Sequence, residues 1–364
     1  VEKFLSWKAN LKKWHITPVY KSGISAEEAK KLVGDKHFLN LQSNENLFVP
    51  LEFIKKLAVK ALENIDLRLY PKEVTNKLTE NLAKLNGVDE ESVILSHGAD
   101  QMIELIFKMF EGNAKIFLHN PTYSYYKIAA INYGLTVITD EYVNETLLNI
   151  KSIQENSPDL VFVCNPNNPT GHIIPKEQIK ELLDNRNLVL VLDETYAEIS
   201  GVTNNDLFHN YDNLIILRTF SKAYGLAGLR IGYALTQGEL AKVLKKLQSP
   251  FPVSSFSAAV ALEALKNTEE FKRYWAESLK TREWFEKQLD EEILKSKSAS
   301  YFITLSFKVS AEAAFIELLK HGYITRVIEP FGRFLNPLRM NMAPKNLIED
   351  LPHLINNINK KYSE

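Results

Sequence analysis

Leu188-Val189-Leu190-Val191-Leu192-Asp193-Glu194-Thr195-Tyr196 is the stretch on which the fold turns. Five apolar residues of strand length run without a polar break and then stop at two carboxylates. An unbroken apolar strand is covered on both faces. The pattern recurs on either side: Val93-Ile94-Leu95, Ile116-Phe117-Leu118, Leu160-Val161-Phe162-Val163, Leu214-Ile215-Ile216-Leu217 and Ile231-Gly232-Tyr233-Ala234 alternate with helical text. Alternation of this kind predicts an α/β fold with a largely parallel sheet flanked by helices. Polar or glycine-containing clusters follow most of the runs: Ser96 to Asp100, Asn120 to Tyr123, Asn165 to Gly171, Asp193 to Tyr196, and Thr219 to Lys222. In open α/β sheets ligands sit at the carboxyl ends of strands, so these clusters are expected to converge on one crevice.

Outward from this core, helices are expected at Leu51 to Asn64, opened by Pro50, and at Val74 to Asn86, closed by Gly87. Residues 1–40 read as an arm with a helical piece at Ala26 to Leu32 and an entry strand at Phe38 to Leu41. Ser249-Pro250-Phe251-Pro252 marks a boundary. Beyond it helical text runs from Ser254 to Glu292, with a weak point near Asn267. A small α/β unit follows: a strand at Tyr301 to Phe307, a helix at Ala311 to His321, a strand at Tyr323 to Ile328, the segment Leu338 to Met342, and a closing helix near Leu347 to Lys361. The expected division is an arm at 1–45, a large domain at 46–250 and a small domain at 251–364.

The chain has 364 residues, 45% hydrophobic and 24% charged, which suits a soluble globular protein. Its 44 basic and 45 acidic side chains nearly cancel, so no broad positive field is available for nucleic acid. No apolar run is long enough for a membrane span, and the opening Val1-Glu2-Lys3-Phe4-Leu5-Ser6-Trp7-Lys8 does not read as a signal peptide. With one cysteine, Cys164, the expected compartment is the cytoplasm. There is no Gly-x-Gly-x-x-Gly, no Gly followed by Lys, no HExxH-like histidine pair and no Gly-x-Ser-x-Gly. No metal site is therefore expected.

Three ordered motifs remain: Asn165-Pro166-Asn167-Asn168-Pro169-Thr170-Gly171, Asp193-Glu194-Thr195-Tyr196, and Thr219-Phe220-Ser221-Lys222 running on to Gly228-Leu229-Arg230. Together they resemble the fold-type-I aminotransferases, which use pyridoxal phosphate. The resemblance implies a mostly parallel seven-stranded sheet, with a smaller α/β domain built from the N- and C-terminal segments. The cofactor needs an amine to hold it as a Schiff base, an anion at its pyridinium nitrogen, donors to its phenolic oxygen and a phosphate cradle. Lys222 follows an apolar strand, where burial would depress its pKa, and is the best candidate for the amine. Asp193 ends a buried run and would be costly there unless it meets a cation, which a protonated pyridine nitrogen supplies. By resemblance, Asn168 and Tyr196 bond the phenolic oxygen and Tyr123 stacks on the ring. Gly98, Ala99 and the backbone of Asp100 open an apolar-periodic helix whose free N–H groups suit the phosphate. Thr219, Ser221 and Arg230 add donors. The ordinary alternatives are a solvated lysine for Lys222, a helix cap for Asp193, core packing for Tyr123 and surface ion pairs for Arg230 and Arg339.

Tyr20-Lys21-Ser22-Gly23, Leu41-Gln42-Ser43-Asn44-Glu45-Asn46, Tyr70-Pro71, Gly322 to Arg326 and Leu338-Arg339-Met340 extend the likeness to the histidinol-phosphate aminotransferase family over nearly the whole length. That likeness implies substrate contacts from Tyr20, Asn44, Arg326 and Arg339. It implies an amino donor such as L-histidinol phosphate, 2-oxoglutarate as acceptor, and a homodimer in which Tyr70 reaches the neighbouring active site. Leu47 stands where that family usually has Pro, and Asn341 to Lys345 replaces a Gly-containing segment. The donor is thereby left open. A threonine-phosphate decarboxylase, an aromatic or aspartate aminotransferase, and a non-catalytic cofactor-binding regulatory module are the alternatives.

Overall fold

The computed structural model describes residues 18–361. The opening segment Val1 to Lys8, and with it the first part of the arm, lies outside them. Seven strands form the main sheet: β1 (Val93–His97), β2 (Lys115–Asn120), β3 (Thr136–Glu141), β4 (Leu160–Cys164), β5 (Val189–Asp193), β6 (Leu214–Thr219) and β7 (Ile231–Leu235). Their spatial order is β1-β7-β6-β5-β4-β2-β3. All neighbours run parallel except β7, which is antiparallel to both β1 and β6. Every residue of β4, β6 and β7 is buried, which is why these runs carry no alternation. β3 was not expected from the sequence. It is an edge strand with half its positions exposed, and Thr136-Val137-Ile138-Thr139-Asp140-Glu141 is correspondingly too polar to stand out.

The antiparallel run of β7 decides where the site can form. Its first residue lies at the same edge as the carboxyl ends of the parallel strands, so Arg230, which precedes it, faces the same crevice as Asp193 and Lys222. Helices Leu51–Leu62, Lys72–Asn86 and Ser255–Lys266 pack on one another beside this sheet. The last of these lies beyond residue 250, yet its buried face belongs to the same core as the main sheet, as do Phe271 and Trp275.

A second, smaller core gathers Leu41 and Phe48 from the N-terminal side with Phe285, Ile303, Leu338, Met340 and Ile355. Helix Thr268–Gln288 thus contributes its first half to one core and its second half to the other. The small sheet is antiparallel, in the order Arg326–Val327, Pro337–Asn341, Phe302–Ser306, Leu294–Lys295. The single strand expected over Tyr323 to Ile328 is two. Tyr323–Ile324 pairs parallel with Leu39–Asn40, and Arg326–Val327 pairs with Pro337–Asn341. The backbone changes partner at the buried Thr325, satisfying two sheets in turn. That switch seats the N-terminal entry strand and sets Arg326 directly opposite Arg339. No described helix is long and apolar enough to cross a membrane.

Candidate active site

The carboxyl ends of the parallel strands bring the expected residues to one place. Asp193 ends β5 and is 4% exposed. Its Oδ2 accepts from the Tyr126 hydroxyl at 2.5 Å, and its Oδ1 accepts from the Thr195 backbone N–H at 3.0 Å and from the Thr195 hydroxyl. No lysine, arginine or histidine among the described residues forms an ion pair with it. Burial raises its pKa above the ordinary carboxylate value, and the three donors only partly offset that rise.

Lys222 lies in the turn after β6, half-buried, with its Nζ donating to the Ser43 carbonyl at 2.9 Å. Desolvation, helped by the Arg339 charge, lowers its pKa to about 8. This is the condition that an amine nucleophile needs near neutral pH. Tyr196 is buried, and its hydroxyl accepts from Asn44 Nδ2 at 2.9 Å; burial pushes its pKa up, so the phenol stays protonated. The Asn44 carbonyl accepts from Tyr301, which ties the N-terminal segment to the small sheet.

At the other end of the crevice, helix Gly98–Lys108 begins immediately after β1, with no side-chain cap from His97. Arg230 Nη2 pairs with Asp100 Oδ2 at 2.9 Å, and Asp100 Oδ1 accepts from Tyr123 at 3.1 Å. The Asp100 side chain is therefore engaged with its neighbours, in keeping with a role for its backbone alone. Thr219 Oγ1 donates to Ser221 Oγ at 3.0 Å, and both residues are buried. Gly98 has φ +77°, and a Cβ there would stand 2.6 Å from Arg230 Nη2; a Cβ on Gly232 would stand 2.6 Å from the Gly98 carbonyl carbon. Only glycine at both positions lets Arg230 lie against the helix start.

Arg339 is 8% exposed and reaches across from the small sheet. Its Nη1 donates to Asn168 Oδ1 at 2.5 Å and its Nη2 to the Gln42 carbonyl, while its Nε has no partner. Arg326 lies 5.9 Å from the Tyr20 ring centroid and donates to the Lys21 carbonyl. The Tyr20 ring stands edge-on to Tyr123 and Tyr125, at 6.0 and 5.7 Å. Among the described residues neither arginine forms an ion pair with a carboxylate. Tyr70 is separate from this cluster: it is 78% exposed and stacks on Phe251, 4.4 Å away.

The sequence family model for aminotransferase class I and II matches residues 36–358. The chain belongs to this family. Aminotransferases of this kind carry pyridoxal phosphate, and the transaminase reading of the three motifs is correct. Histidinol-phosphate aminotransferase 1 of Carboxydothermus hydrogenoformans is 36% identical over 314 residues, which is 84% of this chain and 88% of that one. In three dimensions the chain matches the histidinol-phosphate aminotransferase of Sinorhizobium meliloti, solved with pyridoxal 5'-phosphate, with a TM-score of 0.85 and 22% identity, covering 100% of this chain and 99% of that one. The L-threonine-O-3-phosphate decarboxylase of Porphyromonas gingivalis matches with a TM-score of 0.76 and 22% identity, over 89% of this chain and 99% of that one. These two structural likenesses concern the fold alone.

The residues present fit the cofactor on physical grounds. A buried carboxylate stands without a cation, a helix start is cleared by glycine beside a guanidinium, and the turn after β6 carries an amine with a lowered pKa. Tyr126, Thr195 and Gln42 were not assigned roles from the sequence. Tyr126 lies in the first turn of helix Ser124–Asn132, three residues after Tyr123 at its N-cap, and only the folded chain brings it to Asp193.

Proposed function

We propose that this aminotransferase takes the amino group of L-histidinol phosphate and returns it to 2-oxoglutarate, with Lys222 as the reacting amine. Bound pyridoxal phosphate supplies an electron sink that makes the substrate Cα proton removable. Lys222 Nζ, with a pKa near 8, takes that proton as general base. The Asp193 carboxylate, lacking a cation of its own, would hold a positive charge at the pyridine nitrogen. Asn168 and Tyr196 orient the ring through its phenolic oxygen, and Tyr123 covers one face. Gly98, Ala99, the Asp100 backbone, Thr219, Ser221 and Arg230 bind the phosphate. Tyr20 and Asn44 complete the substrate side.

One observation carries the choice of substrate. Arg326 and Arg339 stand opposite each other on neighbouring strands, and both are held only by neutral acceptors. Two such guanidinium groups suit a phosphate in one half-reaction and the distal carboxylate of a dicarboxylic acid in the other. The names of the curated relatives support the same reading. We place the enzyme in the cytoplasm as a homodimer. The exposed Tyr70, apart from its own chain's cluster, reaches the cofactor phosphate of the neighbouring subunit, and the division into 1–45, 46–250 and 251–364 describes its arm and domains, except that helix Ser255–Lys266 and the start of Thr268–Gln288 pack with the large domain.

An amino-donor screen tests the substrate, with loss of the visible cofactor band as readout. Histidinol phosphate is expected to discharge the band most efficiently. Preference for aspartate or an aromatic amino acid would contradict this choice, and release of carbon dioxide from threonine phosphate would favour the decarboxylase.

A further inference from the structure

Tyr126 has no part in the reading above, yet its hydroxyl donates to Asp193 Oδ2 at 2.5 Å. Its ring is fixed on two sides, edge-on to Tyr123 at 5.4 Å and tilted on Phe162 at 4.9 Å, and it is wholly buried. Thr195 occupies the other carboxylate oxygen through its backbone N–H and its hydroxyl. Each oxygen of Asp193 thus has a donor from the chain, and the carboxylate cannot turn without breaking one of them.

We propose that Tyr126 is a positioning residue that, with Thr195, clamps the Asp193 carboxylate in its anionic form so that a remaining lone pair stays available to the pyridine N–H. The inference rests on the cofactor role assigned to Asp193. A hydrogen bond donated to a carboxylate stabilises its charge and lowers its proton affinity. Without the Tyr126 hydroxyl, the Asp193 carboxylate would bind a proton more readily and would hold a positive charge at the pyridine nitrogen less well, so the bound cofactor would lose its own proton at a higher pH. The phenol itself does not ionise, because burial and the adjacent Asp193 charge push its pKa far up. The other titratable groups around Asp193 are Cys164, its register partner on β4, together with Asp100 and Tyr196. None of them is a cation.

Tyr126→Phe keeps the ring and removes only the donor. In the cofactor-loaded protein, the midpoint pH of the visible absorbance band is expected to rise by about half a unit, and kcat to fall about tenfold. A second arm needs no cofactor. Thermal melts of the cofactor-free wild type and Tyr126→Phe, at pH 5 and pH 8, are repeated in an Asp193→Asn background. The deficit of Tyr126→Phe is expected to be larger at pH 8 than at pH 5, and to show no pH dependence once Asp193 is Asn. An unmoved midpoint with a deficit equal at both pH values would reduce Tyr126 to core packing and overturn the proposal. Should Tyr126→Phe not fold, 3-fluorotyrosine placed at position 126 alone supplies a stronger donor and is expected to move the midpoint down; an unchanged midpoint would again overturn it. Absence of any visible band in the wild type would instead defeat the cofactor role, and the cofactor-free melts would still decide whether Tyr126 and Asp193 are coupled.

Discussion

Asp193 and Glu194 are neighbours in the chain, both are buried, and the protein treats them in opposite ways. Glu194 meets Arg218 at 2.6 Å and accepts further bonds from Thr203 and from Asn204, whose backbone and side chain both donate. Arg218 in turn pairs with Glu198 at 2.9 Å. Asp193, on the crevice side, is given hydroxyl and amide donors but no cation. A buried charge left without a counterion is costly to the folded state. The chain satisfies Glu194 internally, and under the proposed function the cation that Asp193 lacks is supplied by the cofactor.

Five variants break or sharpen this contrast. The largest effect is expected for Lys222→Ala, which removes the amine while leaving Asp193, Arg230, Thr219 and Ser221 in place: turnover should fall by about 10⁴-fold or more with cofactor still bound, as read in single-turnover assays. Retained transaminase activity would contradict the assignment. Asp193→Asn should lower kcat by about 10²- to 10³-fold, while the cofactor-free protein at pH 8 melts no lower than wild type, because an unpaired buried charge has been removed. Glu194→Ala should do the reverse. It strands the buried Arg218 beside Glu198 alone, and urea unfolding should show a loss of about 3 kcal/mol, with kcat little altered in the protein that remains folded. If the two carboxylates behaved alike in both assays, the contrast would fail.

Arg339→Lys keeps the charge but not the fork that spans Asn168 and the Gln42 carbonyl. KM for an anionic substrate is expected to rise about tenfold, with a smaller change in kcat, in steady-state assays. The smallest effect is a pH dependence in the cofactor-free protein. The Lys222 pKa falls from 10.5 to about 8 on folding, so its charge opposes folding fully below pH 8, and stability recovers as pH rises from there toward 10.5. Lys222→Met should therefore melt above wild type at pH 7, and the gap should close across that window. A gap that stayed constant with pH would mean that the amine is not desolvated.

Much of this was legible in the sequence because covered parallel strands leave unbroken apolar runs, and because Asp193 and Lys222 sit where such runs end. The edge strand β3 was not, since half-exposed polar residues give no such signal. Nor was the partner change at Thr325, because Tyr323 to Ile328 reads as one strand and only the tertiary positions of Leu39–Asn40 and Pro337–Asn341 divide it. Within the candidate site, the strand-end motifs stand out in the sequence, whereas contacts between distant segments do not. The link between Gln42 and Arg339 spans 297 positions, and that between Tyr126 and Asp193 spans 67. Neither separation leaves a local pattern.

The assignment of Lys222 can be tested most directly by reducing the pyridoxal-phosphate-loaded protein with borohydride and mapping the labelled peptide. The account predicts a single modified lysine at position 222, within the peptide that carries Thr219 and Ser221. Label on any other amine, or none at all, would contradict it.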